Sequence, residues 1–407
     1  MVVTLHLRKR ILSFIILMWA FNSFGQTTSV SGRITDANSG EEISFASVFL
    51  GNSSTGSQSN SAGYYNLKNI KPGKYDLIVK FIGYQTFTQD ISCDVKDQEI
   101  NIRLIRDSLK LAEIVIRPDP DQARNYAIFK REFIGTSAIA LSSKILNPDV
   151  VRVSYEPGRL LEASSDDFLI IENKHLGYRI KYLLNEFTRT FIPGEFNAGM
   201  LYFEGVAYFE KMKGTKSKVK QWKKNRLDTY RGSSMHFYRS LVRNNYRQEG
   251  FSIYRLIKKD NQDRPADSII NSKINRFRQD LTLAGKDSTA FWHAKKRLPK
   301  QFDYLLKDTL PVKEIMLKTD QNDIFALHFQ DNLYITYKGK LVENHNSDVY
   351  RPLDMGDVAV TILTLKEKYA LFDTNGIIVN PKSIAVEGFW YSKISSMLPH
   401  DYDPEEN

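Results

Sequence analysis

The chain has 407 residues, 42% of them hydrophobic and 26% charged, with 57 Lys and Arg against 47 Asp and Glu for a formal net charge of +10. This composition excludes a disordered polyelectrolyte, a collagen-like fibre and a multi-span membrane protein, and the basic excess falls short of a dedicated nucleic-acid binder. The single cysteine, Cys93, excludes a disulfide scaffold and any zinc site built from several cysteines.

Residues 1–25 read as a signal peptide. Arg8, Lys9 and Arg10 precede an apolar run from Ile11 to Phe21, and Ser23 and Gly25 occupy the −3 and −1 places of a cleavage site that would release Gln26. The run is too short to cross a hydrocarbon core of about 30 Å at 1.5 Å per residue. Export is therefore expected, to the periplasm or an outer-membrane-associated place, with an uncleaved anchor as the rival. No further apolar stretch is long enough to span a membrane as a helix. Removing the three leader charges from +10 leaves a mature charge of +7.

Residues 26–116 predict a β-sandwich. Short alternating runs are separated by turn residues, as all-β sandwiches require. Val30 to Thr35 is one run, Ala46, Val48 and Leu50 mark a second, and the polar stretch 51–63 holds a turn and a polar strand or loop. Tyr65 and Leu67 follow, then the turn Lys71-Pro72-Gly73-Lys74 feeding Tyr75, Leu77 and Val79. A strand around Cys93 buries the thiol, and the segment from Val95 to Leu104 closes the set.

The residues Gly32, Ala46, Val48, Gly63-x-Tyr65-x-Leu67, Pro72-Gly73-x-Tyr75-x-Leu77 and Ile82-Gly83-Tyr84 resemble the carboxypeptidase regulatory-like domain. The form is similar to the N-terminal extension of starch-utilisation-type TonB-dependent receptors of Bacteroidota, and Leu111-x-Glu113-Ile114-Val115-Ile116 resembles the end of that extension. The resemblance implies a transthyretin-like sandwich acting as an adaptor without catalysis. Asn60 stands where the family usually carries Asp before the aromatic strand, a change a backbone turn tolerates. The zinc domain of the carboxypeptidases needs a His-x-x-Glu pair. His175, His236, His293, His328, His345 and His400 all lack Glu at the third following position, so no metal or other cofactor is expected.

Residues 117–125, with Pro118 and Pro120 among acids, read as a linker, and 126–407 as a strand-rich α+β domain. No receptor plug follows the linker. Tyr126 to Thr136 shows helical spacing, and strands are expected at Val150–Ser154, Phe168–Glu172, Tyr178–Leu184 and Met200–Phe209. Asn225 to Asn245 reads as one long helix, followed by strands at Phe251–Ile257, Phe277–Leu283, Ile324–Phe329 and Leu333–Tyr337. A hairpin turn is expected at Asp373-Thr374-Asn375-Gly376. This half resembles a Bacteroidota family of exported proteins without assigned activity, through Ile171-Glu172-Asn173-x-x-Leu176-Gly177-Tyr178, Tyr202-Phe203-Glu204-Gly205, Gly232-Ser233-x-x-His236-Phe237, Glu387-Gly388-Phe389-Trp390 and Leu398-Pro399-x-Asp401-Tyr402-x-Pro404.

The candidate site is cationic. Lys211, Lys213, Lys216, Lys218, Lys220, Lys223, Lys224 and Arg226 contain no acid among them and surround Trp222, which would add an interfacial anchor or a stacking face. Such a patch can meet lipid phosphates or an acidic polymer; the plainer reading is a solvated hairpin tip leading into a helix. Gly232-Ser233-Ser234-x-His236 puts hydroxyl and imidazole within a turn but lacks a nucleophile elbow, so a packed histidine is expected. His345 with Asp348, and His400 with Asp401 and Asp403, are weak cation candidates. The expected function is a non-catalytic binding or scaffolding protein of the cell envelope. Its partner would be a periplasmic or outer-membrane protein, or an acidic envelope polymer or lipid, and not nucleic acid. The alternatives are an envelope hydrolase acting on glycan or peptide, and a small outer-membrane β-barrel.

Overall fold

The computed structural model describes residues 27–93, 96–107, 121–165, 167–191, 199–280, 282–321, 323–341, 349–390 and 393–405. The leader and its cleavage site, the 111–116 motif, linker residues 117–120, the pair His345 and Asp348, and the last two residues lie outside them. The chain divides into two compact units, Met1–Asp228 with Lys393–Asn407, and Thr229–Ser392.

The first unit opens with β1 (Thr28–Asp36), β2 (Ser47–Leu50), β3 (Gly56–Gln58), β4 (Tyr64–Ile70), β5 (Gly73–Lys80), β6 (Phe87–Cys93), β7 (Gln98–Glu99) and β8 (Ile102–Leu104). They form two four-stranded sheets, one with β4 antiparallel and β7 and β8 parallel to β1, the other ordered β3-β2-β5-β6. Alternate residues of β1 point inward, and Val30, Ile34, Val48, Leu67, Leu77, Val79, Ile91, Cys93 and Ile102 share one buried cluster. Burying a branched side chain of this kind contributes about 1.5–3 kcal/mol. The expected sandwich, with its buried thiol, is what these residues build. Asn60 does the work of the family's aspartate: its Oδ1 accepts the backbone N–H groups of Ala62 and Tyr64, both at 3.0 Å. Asp36, 2% exposed, accepts from the backbone of Ser39 and Asn38, from the Tyr84 hydroxyl and from the Arg106 guanidinium. These donors hold its carboxyl well below the usual range, the Ser39 N–H first among them.

The rest of the unit is a six-stranded sheet. Its strands are β9 (Ser143–Ile145), β10 (Val151–Glu156), β11 (Leu160–Ser165), β12 (Leu169–Asn173), β13 (Tyr178–Thr190) and β14 (Leu201–Lys211), in the order β10-β11-β13-β12-β9 with β14 along β13. Helix α1 (Gln122–Ile134) lays Phe129 and Phe133, one turn apart, against it. Phe129 meets Phe187 at 5.0 Å, and Phe133 meets Tyr182 and Phe203 at 5.4 Å each between ring centroids. A short helix α2 (Ala138–Leu141) follows. A second apolar cluster joins this sheet to the sandwich. Phe49 and Ile78 project from β2 and β5 away from the sandwich core and meet Phe168, Leu183, Val206 and Tyr208. The polar 51–63 stretch is pinned there too: Asn52 N–H donates to Ala207 O at 2.7 Å, and Phe209 N–H to Ser53 O at 3.0 Å.

Helix α3 (Lys216–Tyr230) and helix α4 (Ser234–Val242) replace the single helix expected over Asn225–Asn245. Gly232 adopts φ +76° and Ser233 caps α4 through its hydroxyl, so the Gly-Ser pair ends one helix and starts another. In the second unit β15 (Phe251–Asp260), β16 (Gln301–Thr309), β17 (Met316–Lys318), β18 (Ile324–Leu327), β19 (Asn332–Leu341), β20 (Val358–Leu365), β21 (Ala370–Asp373) and β22 (Ile384–Gly388) build a five-stranded sheet, β16-β15-β19-β20-β22, and a three-stranded sheet, β17-β18-β21. Phe237, Leu241, Phe251, Leu327, Leu333, Phe372 and Trp390 share its core. The expected strand over Phe277–Leu283 is instead the end of helix α5 (Asp267–Arg278) and the approach to helix α6 (Leu283–Arg297). Ile270, Ile274 and Phe277 recur at helical spacing and override the local β-like run.

The α+β class stands, with several helices in place of one. No helix among the described residues is long and apolar enough to cross a membrane. The described strands form five sheets, none of whose hydrogen-bonded strand orders closes on itself.

Candidate functional site: a polar cleft beside the lysine helix

The turn joining β12 to β13, residues 174–177, presents a row of backbone carbonyls, of which Gly177 O already accepts Met212 N–H at 3.0 Å, and α3 supplies donors to them at helical spacing. Trp222 Nε1 donates to Lys174 O at 2.9 Å, Asn225 Nδ2 to His175 O at 2.7 Å, and Arg226 to Leu176 O at 2.7 Å and Gly177 O at 3.0 Å. Positions 222, 225 and 226 lie on one helix face, so one stripe satisfies one turn. Gly177 has φ +67°, and a Cβ there would lie 2.2 Å from the Trp222 ring, so only glycine admits the indole.

Two members of the predicted patch therefore change role. Trp222 is 8% exposed and Arg226 7% exposed; neither offers an anchor or a free charge to a ligand. The Arg226 guanidinium sits 4.0 Å from the centroid of the Tyr178 ring. Burial pulls Arg226 below its ordinary pKa, and burial pushes the Tyr178 hydroxyl up. The other seven remain exposed: Lys211 ends β14, Lys213 follows it, and Lys216, Lys218, Lys220, Lys223 and Lys224 lie on α3. Lys216, Lys220 and Lys223 form a solvent-facing stripe, and none of the seven has a carboxylate partner among the described residues. The segment is a helix packed on a sheet, where a hairpin tip was the plainer expectation.

Beside α3 lies a cleft of about 710 Å³. Asn66, Lys68, Asn69 and Lys71 line it from β4 and the turn after it, Ser54 and Thr55 from the β2–β3 turn, Tyr178, Lys211 and Arg226 from the second sheet and α3, and Asp401, Tyr402 and Asp403 from the C-terminal segment. Asp401 is already occupied: its oxygens accept Ser54 N–H at 2.9 Å, Ser54 Oγ at 2.8 Å and Thr55 Oγ1 at 3.3 Å. Lys71 Nζ lies 2.6 Å from Asp403. Discounting those engaged groups leaves the exposed Lys68 and Lys211 with the Asn66 and Asn69 amides facing the cleft. Among the described residues no cluster of His, Cys, Asp and Glu could hold a metal ion. The His400, Asp401 and Asp403 candidate fails because both carboxylates serve the tail's attachment to the sandwich.

The Ser–His candidate resolves as the packed histidine. His236 Nδ1 accepts Gly232 N–H at 3.0 Å, Nε2 lies 3.0 Å from Glu249, and the ring packs tilted against Tyr230 and edge-on to Phe251 and Tyr337. Burial lowers its pKa, opposed by Glu249. Ser233 Oγ accepts the His236 backbone N–H and caps α4. The sequence reading missed the cleft's sandwich side, Ser54, Thr55, Asn66, Lys68, Asn69 and Lys71. The only local signal was a polar outward face on β4, which any solvated strand shows.

No curated protein matches the chain. Among solved structures, it is similar to a type II cohesin–X-dockerin complex chain from Acetivibrio cellulolyticus at 20% identity, over 19% of this chain and 56% of that one, with a TM-score of 0.16. It is also similar to a "putative carbohydrate binding protein" from Bacteroides uniformis at 11% identity, over 38% and 57%, with a TM-score of 0.18. A third is a "putative membrane-associated protein of unknown function" from Bacteroides fragilis at 12% identity, over 90% and 99%, with a TM-score of 0.17. The chain thus spans little more than half the length of the first two, and likenesses this distant carry no functional argument. The sandwich is where the comparison is decisive: residues 30–116 match the CarboxypepD_reg-like family, and the chain carries that domain at its N-terminal end.

Proposed function

We propose that this chain is an exported, non-catalytic binding or scaffolding protein of the cell envelope, and that the cleft beside α3 takes an acidic, hydroxyl-rich ligand such as an acidic oligosaccharide. The observation that carries this reading is the lining of the cleft: Lys68 and Lys211 supply charge, and Asn66 and Asn69 supply paired donors and acceptors. Amides and ammonium groups suit a hydroxylated anion better than an apolar ligand. The lysine stripe on α3 adds a positive field that raises encounter with a polyanion. The carboxylates in the cleft hold intramolecular partners, which favours binding over acid–base hydrolysis. Export rests on the leader pattern, and an adaptor role on the CarboxypepD_reg-like domain.

The test is calorimetric titration of the mature chain with acidic and neutral oligosaccharides of matched length, at low and high salt. Binding confined to the acidic series, weakened by salt, and reduced about tenfold in Lys68→Ala or Lys211→Ala is expected, a tenfold loss being about 1.4 kcal/mol. Equal binding of neutral sugars, or none of either series, would overturn the reading.

A further inference from the structure

A second basic element lies in the other unit and is built differently. β15 and β16 are antiparallel neighbours whose register runs to Asp260 opposite Gln301, a geometry a two-residue turn would close. Residues 261–300 stand in place of that turn and form the helical hairpin α5–α6, whose two helices pack chiefly on each other. Its root is fixed: Asn261 N–H donates to Lys300 O at 2.9 Å, Asn261 Nδ2 to Pro299 O at 2.9 Å, and Lys295 Nζ to Asp263 O at 2.9 Å. Asp267 pairs with both Arg264 and Lys300. The hairpin is thus a held projection.

Its surface is unlike that of a solvated helix pair. Ile270 and Ile274 are buried, but Leu283 is 80% exposed, Phe291 55% and Ile269 49%. On α6 the 3.6-residue period puts Leu283, Ala290, Phe291 and Ala294 on one side, all four exposed, with the exposed Asp287 among them one turn from both Leu283 and Phe291. Lys286 and Arg297 lie along one edge of that face. Over residues 261–300 nine Lys and Arg stand against four Asp, and Lys286, Arg276, Arg278 and Arg297 have no carboxylate partner among the described residues. Exposed Leu283 and Phe291 amid an excess of cations, with Asp287 the one acid on their face, are the elements of a helix that lies in the interface of an anionic bilayer. The lysine stripe of α3 has the charge with only Val219 as an exposed large apolar side chain, since Trp222 turns inward.

We infer that the α5–α6 hairpin is a membrane-surface element whose Leu283 and Phe291 enter the headgroup boundary of an anionic bilayer while the flanking Lys and Arg meet lipid phosphates. This surface is separate from the oligosaccharide reading and stands without it. Charge sets the choice of lipid: each cation near an anionic leaflet gains from the surface potential, whereas a neutral leaflet offers only the apolar contribution. Phe302, Tyr304 and Leu306, which share the exposed face of β16 just after α6, continue the apolar surface along the chain.

The experiment is flotation of the mature chain with vesicles of pure phosphatidylcholine or of phosphatidylcholine with phosphatidylglycerol, at physiological salt. The chain should float with the anionic vesicles and at least tenfold less with the neutral ones. Leu283→Ser with Phe291→Ser should cut anionic-vesicle binding at least tenfold with an unchanged circular dichroism spectrum, since both side chains are exposed. A second variant, 261–300 replaced by Asn-Gly between Asp260 and Gln301, should abolish it. Binding that survives both variants but disappears in Lys216→Glu with Lys220→Glu and Lys223→Glu would assign it to α3 and overturn the inference. Loss of a dimer in the hairpin variants, without vesicle binding by the parent, would also overturn it.

Discussion

Helix α3 and the α5–α6 hairpin are both basic and both carry a tryptophan or phenylalanine among lysines, yet the two regions use those residues in opposite ways. On α3 the aromatic and the arginine turn inward onto the 174–177 turn, so the outer face is mostly charge, with Val219 the one exposed large apolar side chain on it. On the hairpin the phenylalanine and a leucine stay outside, and the cations border them. A count of charges and rings cannot separate the two cases. The difference lies in whether a neighbouring element offers backbone carbonyls at the matching spacing, as the 174–177 turn does for α3.

Substitution of the two aromatics tests this contrast most severely. Trp222→Ala should cost about 3–5 kcal/mol, because it opens a cavity over Gly177 and leaves the Lys174 carbonyl unsatisfied. Phe291→Ala should stay within about 0.5 kcal/mol. Urea unfolding followed by circular dichroism gives both values, and similar losses would break the comparison. Gly177→Ala comes next, at more than about 1–2 kcal/mol from the left-handed backbone alone, with loss of Trp222 packing visible as a red-shifted fluorescence maximum. Reversal of Lys216, Lys220 and Lys223 to Glu should leave stability within about 0.5 kcal/mol while abolishing the salt-sensitive part of polyanion binding; a folding defect would mean that the stripe is structural.

The smallest effect is a pH dependence. Hydrogen bonds from Lys300, then from Arg264, hold the Asp267 carboxyl below its ordinary value. Its contribution to the hairpin root is therefore complete above the unfolded pKa of about 3.9 and lost as pH falls through the lower folded value. Amide exchange over 261–300, corrected for the intrinsic rate, should accelerate in that acid window, and Asp267→Asn should remove the acceleration. The contacts of α3 on its turn are an indole, an amide and a guanidinium donating to carbonyls, and none of these titrates there. Parallel acid loosening of both helices would show that the root ion pairs are not what distinguishes them.

Much of the sandwich was legible because turn residues and alternation are local. Asn60, noticed as a departure, proved to be a turn residue whose side chain caps two backbone N–H groups. One cue lay unused. Val48-Phe49-Leu50 and Leu77-Ile78-Val79 are continuous apolar runs, and such runs mark strands covered on both faces; Phe49 and Ile78 are the residues by which the sandwich meets the second sheet. The break between α3 and α4 was also readable in Gly232 and Ser233, but the apolar stripe on either side masked it.

The cleft was not legible, because its walls come from positions 54–71, 178, 211–226 and 401–403. Local chemistry in the chain itself determined the leader-like start, the CarboxypepD_reg-like sandwich and the density of lysine near α3. Tertiary structure alone decided which of those charges remain available, since burial and hydrogen bonding are set by neighbours distant in sequence. Arg226 and Lys224 are two residues apart in the same basic run, but one is spent on backbone carbonyls and the other faces water.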